Sequence, residues 1–289
     1  MGEVNHPVHL RVPRVLSIAG TDPTGGAGIQ ADLKSISANH GYGMAVVTCL
    51  VAQNTHGVRA IHTPPPEFLY HQLRAVSDDI TIDAVKIGML GNTVTIDIVE
   101  SWLSHAQPPI IVLDPVMIAS SGARLLDHDA VSAVTRLLNR VDLVTPNLAE
   151  LGALLQEPPA TDWAHAVAQA NRLSEIHEVI VLVKGGHLHS PQSPDALVDA
   201  AGRLTGGLAL FESTATRVNT SNTHGTGCSL SAAVATQQAQ LGDWTAALTA
   251  AKTWLQDSLL HADHLKVGSG NGPIHHFHHL WEAASEGPP

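Results

Sequence analysis

Val15-Leu16-Ser17-Ile18-Ala19-Gly20-Thr21-Asp22-Pro23-Thr24-Gly25-Gly26-Ala27-Gly28-Ile29-Gln30-Ala31-Asp32 opens the alternating pattern of strands and helices. Five residues of buried-strand character stop at Gly20, and a glycine-rich turn follows. A helical pattern then runs from Gly26 to His40. A continuous apolar strand feeding a helix through a short turn is the unit of a parallel sheet covered on both faces. The unit recurs. Ala45–Val51, Ala84–Ile87, Ile110–Leu113, Asp142–Thr145 and Val179–Val183 read as further strands. Helices are expected over Phe68–Val76, Val94–His105, Asp129–Asn139, Asn147–Leu155 and Trp163–Ile176. Asp195–Asp199 and Leu208–Glu212 read as a short antiparallel pair. Two alanine-rich helices, Thr226–Gln240 and Trp244–Ala262, close the pattern. The fold class is therefore α/β, with a central, mostly parallel sheet and helices on both faces. No linker splits the chain, so residues 1–13 are read as an N-terminal extension and 14–289 as one domain.

Composition narrows the function. The chain has 289 residues and a formal net charge of −11, with no basic stripe, which argues against a nucleic-acid-binding protein. The densest basic cluster near the N-terminus is Arg11 and Arg14. Two cysteines, Cys49 and Cys228, lie far apart without a CxxC pattern, so neither a disulfide framework nor a cysteine-based zinc site is expected. No signal-like or membrane-length apolar run occurs, and the expectation is a cytoplasmic protein with no membrane partner. The run His275-His276-Phe277-His278-His279 matches no zinc spacing and reads as rings that pack or hydrogen-bond. Gly268-Ser269-Gly270-Asn271-Gly272 follows a helix and reads as a loop.

In open parallel sheets, ligands bind at the carboxyl ends of the strands. That rule gathers Gly20, Gln53, Gly88, Asp114, Asn147 and Gly185. Asn222-Thr223-His224-Gly225-Thr226-Gly227-Cys228-Ser229-Leu230-Ser231 adds a glycine turn entering a small-residue helix. Freed backbone N–H groups and the helix dipole favour an anion there, and the same field would favour the Cys228 thiolate. A capped helix with a buried cysteine is the plainer reading. Gly28 and Asp32, four apart, share a helix face and would floor a pocket for a small polar ring. Asn147 and Glu150, three apart, suit either hydrated magnesium or a capping box. Lys184, before Gly185-Gly186, reads as a phosphate contact or as a solvated lysine. The P-loop pattern is absent, and Gly25-Gly26-Ala27-Gly28 breaks the dinucleotide-binding spacing.

Eight segments in order extend the comparison: AGTDPTGGAGIQADLK at 19–34, VAQNTHGV at 51–58, KIGML at 86–90, VLDPVM at 112–117, TPNLAE at 145–150, KGGH at 184–187, NTHGTGCSLSAA at 222–233 and GPIHHFH at 272–278. Together they resemble the hydroxymethylpyrimidine/phosphomethylpyrimidine kinases of the ribokinase-like superfamily. The resemblance implies a three-layer ribokinase-like sandwich and a homodimer. It implies ATP- and Mg2+-dependent phosphorylation of 4-amino-5-hydroxymethyl-2-methylpyrimidine, then of its monophosphate, in thiamine biosynthesis. Gln53 would read the pyrimidine edge, since an amide donates and accepts at once. Gly20, Asp32, Val51 and Met89 would line the pocket. Asp114, Asn147 and Glu150 would surround magnesium and the ATP phosphates, with Glu150 and Asp114 as metal ligands. Lys184 would bind the nucleotide. Gly225, Thr226 and Gly227 would form the anion hole, and Cys228 stands where many superfamily members carry an aspartate base. Ser120 and Ser221 replace lysines of the family pattern. A pyridoxal/pyridoxine kinase of the same superfamily is the near alternative, and a non-catalytic ligand-binding protein on this scaffold the distant one.

Overall fold

The computed structural model describes residues 11–118, 125–188 and 190–285. Its elements run β1 (Arg14–Ala19), α1 (Gly28–Ala38), β2 (Tyr42–Val47), β3 (Leu50–Asn54), β4 (Gly57–His62), α2 (Pro66–Ser77), β5 (Ala84–Ile87), α3 (Thr93–Ala106) and β6 (Ile111–Leu113). They continue with α4 (Val131–Leu137), β7 (Leu143–Val144), α5 (Leu148–Leu155), α6 (Trp163–His177), β8 (Ile180–Lys184), β9 (Gln192–Val198), β10 (Leu210–Thr216), α7 (Thr226–Leu241), α8 (Trp244–Leu260) and α9 (His278–Ser285).

The main sheet has eight strands in the order β10-β9-β8-β7-β6-β5-β1-β2. From β8 to β2 every pairing is parallel; β9 and β10 are antiparallel. Side chains alternate across it with period two. Val15, Ala84, Val112, Leu143 and Leu182 pack beneath α1, α7 and α8. Leu16, Val85, Leu113, Val144 and Val181 meet the helices α2 to α6 on the other face. Both layers are thus covered, and the three-layer sandwich expected from the alternating apolar runs is present.

The helices begin where local chemistry starts them. Asn92, Asp162 and Asp243 cap α3, α6 and α8 by accepting backbone N–H bonds. Pro66 occupies the first position of α2, where its missing N–H costs nothing. Arg11 and Arg14 both bond Asp83, so the one basic cluster of the N-terminal region is neutralised in place.

One expected strand is broken. Ala45–Val51 is continuous in hydropathy, yet β2 ends at Val47 and β3 starts a separate hairpin with β4. The break falls at Thr48-Cys49. There the Thr48 N–H bonds Ala19 O at 3.0 Å and the Thr48 hydroxyl donates to Met89 O at 2.6 Å, turning the chain off the sheet. Periodicity could not show this, because both pieces are apolar. A register shift between Ala52 and Gln53 bulges β3 and re-aims Gln53.

Candidate active site

The first loop and the last glycine turn nest against each other at the carboxyl ends of the central strands. Gly225, the residue before α7, has a φ of 78°, and a β-carbon there would lie 1.8 Å from Gly26 O. Only glycine allows that approach. Gly28, with a φ of 55°, is held as closely against Gly20 O, where a β-carbon would sit 2.3 Å away.

The N-terminus of α7 faces two charged side chains. A β-carbon on Gly227 would be 3.3 Å from Lys184 Nζ and 3.7 Å from an Asp114 carboxylate oxygen. Lys184 Nζ lies 3.1 Å from Asp114 Oδ1, which also accepts from the Thr145 hydroxyl at 3.1 Å. Burial opposes the Asp114 charge, but Lys184 and Lys86 hold its pKa below the usual carboxylate range. Three of the expected residues, Asp114, Lys184 and Gly227, therefore converge. Gly225 and Thr226 flank Gly227 on the same turn.

Asn147 and Glu150 form a capping box on α5. Asn147 Oδ1 accepts from the Glu150 N–H at 2.9 Å, and Glu150 Oε2 accepts from the Asn147 N–H at 2.8 Å. The capping-box reading of this pair is the one the geometry shows, and Glu150 also feels the charge of Asp114. Burial, reinforced by Asp114 and only partly offset by Lys184, raises the Glu150 pKa to about 7. A buried pair of acidic groups that repel each other is the donor set a hard cation stabilises.

The apolar side of the site is a small cluster of Cys49, Val51 and Met89, with Val58, Val116 and Leu125 against it. Gly20 belongs to this wall, since a β-carbon would meet Cys49 Sγ at 2.6 Å. Gln53 stands half-buried at the rim.

Two expectations need correction. Asp32 does not line the pocket: it is fully buried, bonded to Lys86 Nζ at 2.8 and 2.9 Å and to the Ser17 hydroxyl at 2.6 Å. Ser17 and Lys86 are register partners on adjacent strands, so α1 is pinned to the sheet there. Cys228 is not a resting thiolate. Burial, with Asp32 and Asp114 adding to it, outweighs the pull of Lys86 and pushes the thiol up to about 11. The helix N-terminus is present, but its field is overridden by neighbours the sequence pattern did not bring together.

Sequence reasoning also missed three contributors. Lys86 sits at an inward position of β5 and is fully buried; a lone charge in an apolar strand was the available signal. Asp22 accepts from the Thr24 and Ala27 N–H groups within its own loop, and it also lies 2.8 Å from His224 Nε2 across the two nested loops. Ser231 reaches Asp114 from one turn into α7, at 3.4 Å. Ser221 is exposed; Ser120 lies outside the described residues. The histidine run packs as expected: His275, His276 and His278 are buried, and His276 Nε2 lies 3.0 Å from the Ser229 hydroxyl. No set of three or more metal-ligating side chains suited to an ion occurs among the described residues. A shallow cleft of about 490 Å³ lies beside the loop after Lys184, where Arg217 donates to the carbonyls of Gly186, Leu188 and Ser190.

With this arrangement in view, comparison with known proteins is direct. The family described as phosphomethylpyrimidine kinase matches residues 22–275. The chain belongs to the phosphomethylpyrimidine kinase family. The match runs from within the first glycine loop to the C-terminal histidines, so Gln53, Asp114, Asn147, Glu150, Lys184 and the Gly225–Cys228 turn all lie inside it. An Escherichia coli hydroxymethylpyrimidine/phosphomethylpyrimidine kinase is 47% identical over 267 residues, covering 92% of this chain and 98% of that protein. A thiamine biosynthesis multifunctional protein of Corynebacterium glutamicum is 55% identical over 276 residues, 95% of this chain. The chain spans about a third of that protein's length, 35%. Among solved structures, the Staphylococcus aureus pyridoxal kinase in complex with ADP has a TM-score of 0.83 at 27% identity, covering 93% of this chain and 95% of that one. A phosphomethylpyrimidine kinase from Clostridium difficile has a TM-score of 0.73 at 31% identity, covering 86% and 99%. As a phosphomethylpyrimidine kinase family member, the chain carries the ribokinase-like fold of these kinases.

Proposed function

We propose that this protein uses ATP to phosphorylate 4-amino-5-hydroxymethyl-2-methylpyrimidine and then its monophosphate, the two phosphorylations that supply the pyrimidine half of thiamine. The observation that carries this reading is the convergence of Gly227, Lys184 and Asp114 beside the Cys49–Val51–Met89 wall. A phosphate site and a small ring pocket thereby share one border.

Phosphoryl transfer asks mainly for positioning and charge neutralisation. The backbone N–H groups of Gly225 to Cys228 stabilise charge on the transferring group, and Lys184 adds a fixed cation. Gln53 orients the aminopyrimidine edge, while Val51 and Met89 pack its faces. Asp114 and Glu150 fit Mg2+, with Asn147 holding Glu150 in place through the capping box. Mg2+ bound there neutralises phosphate charge. Cys228, a neutral thiol at rest, first gives its own proton to solvent, and nearby Lys86 lowers the cost of the thiolate so formed; that thiolate takes the hydroxymethyl proton as the alcohol oxygen attacks the γ-phosphorus and ADP leaves. The monophosphate brings an ionised oxygen, so the second step relies less on that thiol.

The expected homodimer is supported by the β3–β4 hairpin, a two-stranded sheet whose outward residues Leu50, Ala52 and Ala60 are exposed. A cytoplasmic setting suits a site built around two free thiols. No helix among the described residues is long and apolar enough to cross a membrane.

A second reading rests on the fold match to pyridoxal kinase with ADP: the same site would accept pyridoxal. One assay separates them. ADP release is followed with the pyrimidine alcohol, its monophosphate and pyridoxal in parallel. Both pyrimidines should support turnover, with pyridoxal at least about tenfold less efficient, about 1.4 kcal/mol in the transition state. Turnover of pyridoxal alone would replace the first reading by the second, and ADP release with none would sink both.

A further inference from the structure

Asp22 has more partners than a turn requires. It is fully buried. Its Oδ1 accepts from the Thr24 N–H at 2.9 Å and the Thr24 hydroxyl at 2.8 Å, and its Oδ2 accepts from the Ala27 N–H at 2.8 Å. Those bonds are local and would by themselves finish a capped loop. Two further contacts are not local. His224 Nε2 lies 2.8 Å from Oδ2, across 202 residues of sequence. From the bulge of β3 the Gln53 side chain favours the charged form of the same carboxylate, and the neighbouring Val51 N–H donates to the Thr21 hydroxyl at 3.0 Å.

Each partner belongs to a different part of the site. His224 immediately precedes Gly225, and its ring rests against Gly26, where a β-carbon would meet His224 Cδ2 at 2.6 Å. Gln53 stands on the hairpin over the ring pocket. Ala27 precedes Gly28, whose backbone N–H faces the Cys228 thiol. The bonds outweigh the cost of burial and hold the Asp22 carboxyl well below the usual range, so it stays a charged acceptor at neutral pH. The Asp22 N–H in turn donates to Gln30 Oε1 at 2.8 Å, fixing the loop to α1.

We propose that Asp22 is a positioning residue that couples the ring pocket to the phosphate turn, its single carboxylate tying Gln53 on one side to His224 on the other. A ligand that orders Gln53 sharpens the geometry of Asp22 and through it the Gly225 turn, so each ligand prepares the site for the other. This rests on the kinase reading above. By linkage the effect is reciprocal: whatever the alcohol does for the nucleotide, the nucleotide does for the alcohol.

The test is a calorimetric binding square with the pyrimidine alcohol and AMP-PCP with Mg2+, each alone and each in the presence of the other. In the unaltered protein each ligand should tighten the other by about fivefold or more, the lower end of ordinary coupling. Asp22→Asn keeps the shape but removes the charge; it should bind each ligand alone within a few-fold of the parent while the mutual tightening falls toward onefold. His224→Gln cuts only the phosphate arm and keeps the test open should Asp22→Asn fold poorly; it should remove the tightening as well. A merely structural role would lower the melting temperature and leave the tightening in place. Tightening retained in a folded variant, or absent from the parent, overturns the proposal. Failure of the parent to bind either ligand overturns the kinase reading itself, a separate outcome.

Discussion

At the scale of single residues, the site is governed by where burial wins over charge. Cys228 and Glu150 both hold protons more tightly than their free counterparts, and each predicts a measurement. For Cys228, raised to about 11, alkylation by iodoacetamide in a Cys49→Ser background should be slow at pH 7.5 and rise steadily to pH 10. A plateau below pH 8 would show a resting thiolate and reverse the assignment. Cys228→Ala should lower kcat for the alcohol by about 10²- to 10⁴-fold, the range for losing a positioned base, and for the monophosphate much less. Equal losses would remove the thiol from the proton's path. For Glu150 the sign follows from its pKa, raised to about 7 in the folded state against an ordinary value near 4.5. The folded protein binds that proton more tightly, so stability is greatest below the ordinary value and falls as pH climbs through about 7. Glu150→Gln should flatten this part of the stability profile, read as urea midpoints between pH 4.5 and 8 without Mg2+. An unchanged profile would mean that another group carries the slope.

At the scale of elements, two joints hold the site together: the Lys86–Asp32–Ser17 cluster, which fixes α1 to β1 and β5, and the nested glycine turns. Lys86→Met leaves the Asp32 carboxylate buried and unpaired, and should cost about 3 to 5 kcal/mol in a denaturant titration. The pair Lys86→Met/Asp32→Leu should recover much of that, and failure to recover would point to packing rather than charge. Gly225→Ala forces a β-carbon against the Gly26 carbonyl at a positive φ, a strain of about 1 to 3 kcal/mol or more. Its kcat should fall further than its stability, because the displaced groups are the amides proposed to bind the transferring phosphate. The elements also show what the sequence carried. Apolar runs bounded by glycine, aspartate and proline located the six parallel strands of the main sheet, since a strand covered on both faces must be continuously apolar. The same rule hid the β2/β3 break, where Thr48 and Cys49 are as buried as the strand itself. It hid the Lys86–Asp32 pair too, because a tertiary ion pair leaves no periodic trace.

At the scale of the whole molecule, the site lies between the sheet and an isolated hairpin. Such a hairpin is marginal alone and needs cover. Its inner face has Cys49 and Met89 nearby; its outer face shows Leu50 at 50% exposure. If the proposed homodimer forms through this face, Leu50→Glu should shift it to monomer in light scattering and reduce activity together with it. A monomeric parent would remove the proposed dimer, and a dimeric variant would locate its contact elsewhere. The candidate site was legible wherever its residues fall in strand-end motifs: Gly20, Gln53, Asp114, Lys184 and the turn at Gly225 all stand there. What could not be read was which carboxylates are spent internally, because that depends on partners far away in sequence, such as Asp22 with His224.

The C-terminal segment gives the site a place in time as well as in space. The His224 N–H bonds Gly272 O at 3.0 Å, Asn271 N–H bonds Thr55 O at 2.9 Å, and His276 meets Ser229 in the first turn of α7. The hairpin and the Gly225 turn are thus both tied to residues made after the sheet and its helices. On the ribosome, the sheet and most of its helices can form while the chain is still growing, since domains build from the N-terminal side. The glycine turn cannot settle until residue 276 has left the exit tunnel. A nascent chain is in this sense a folded scaffold before its Gly225 turn is set.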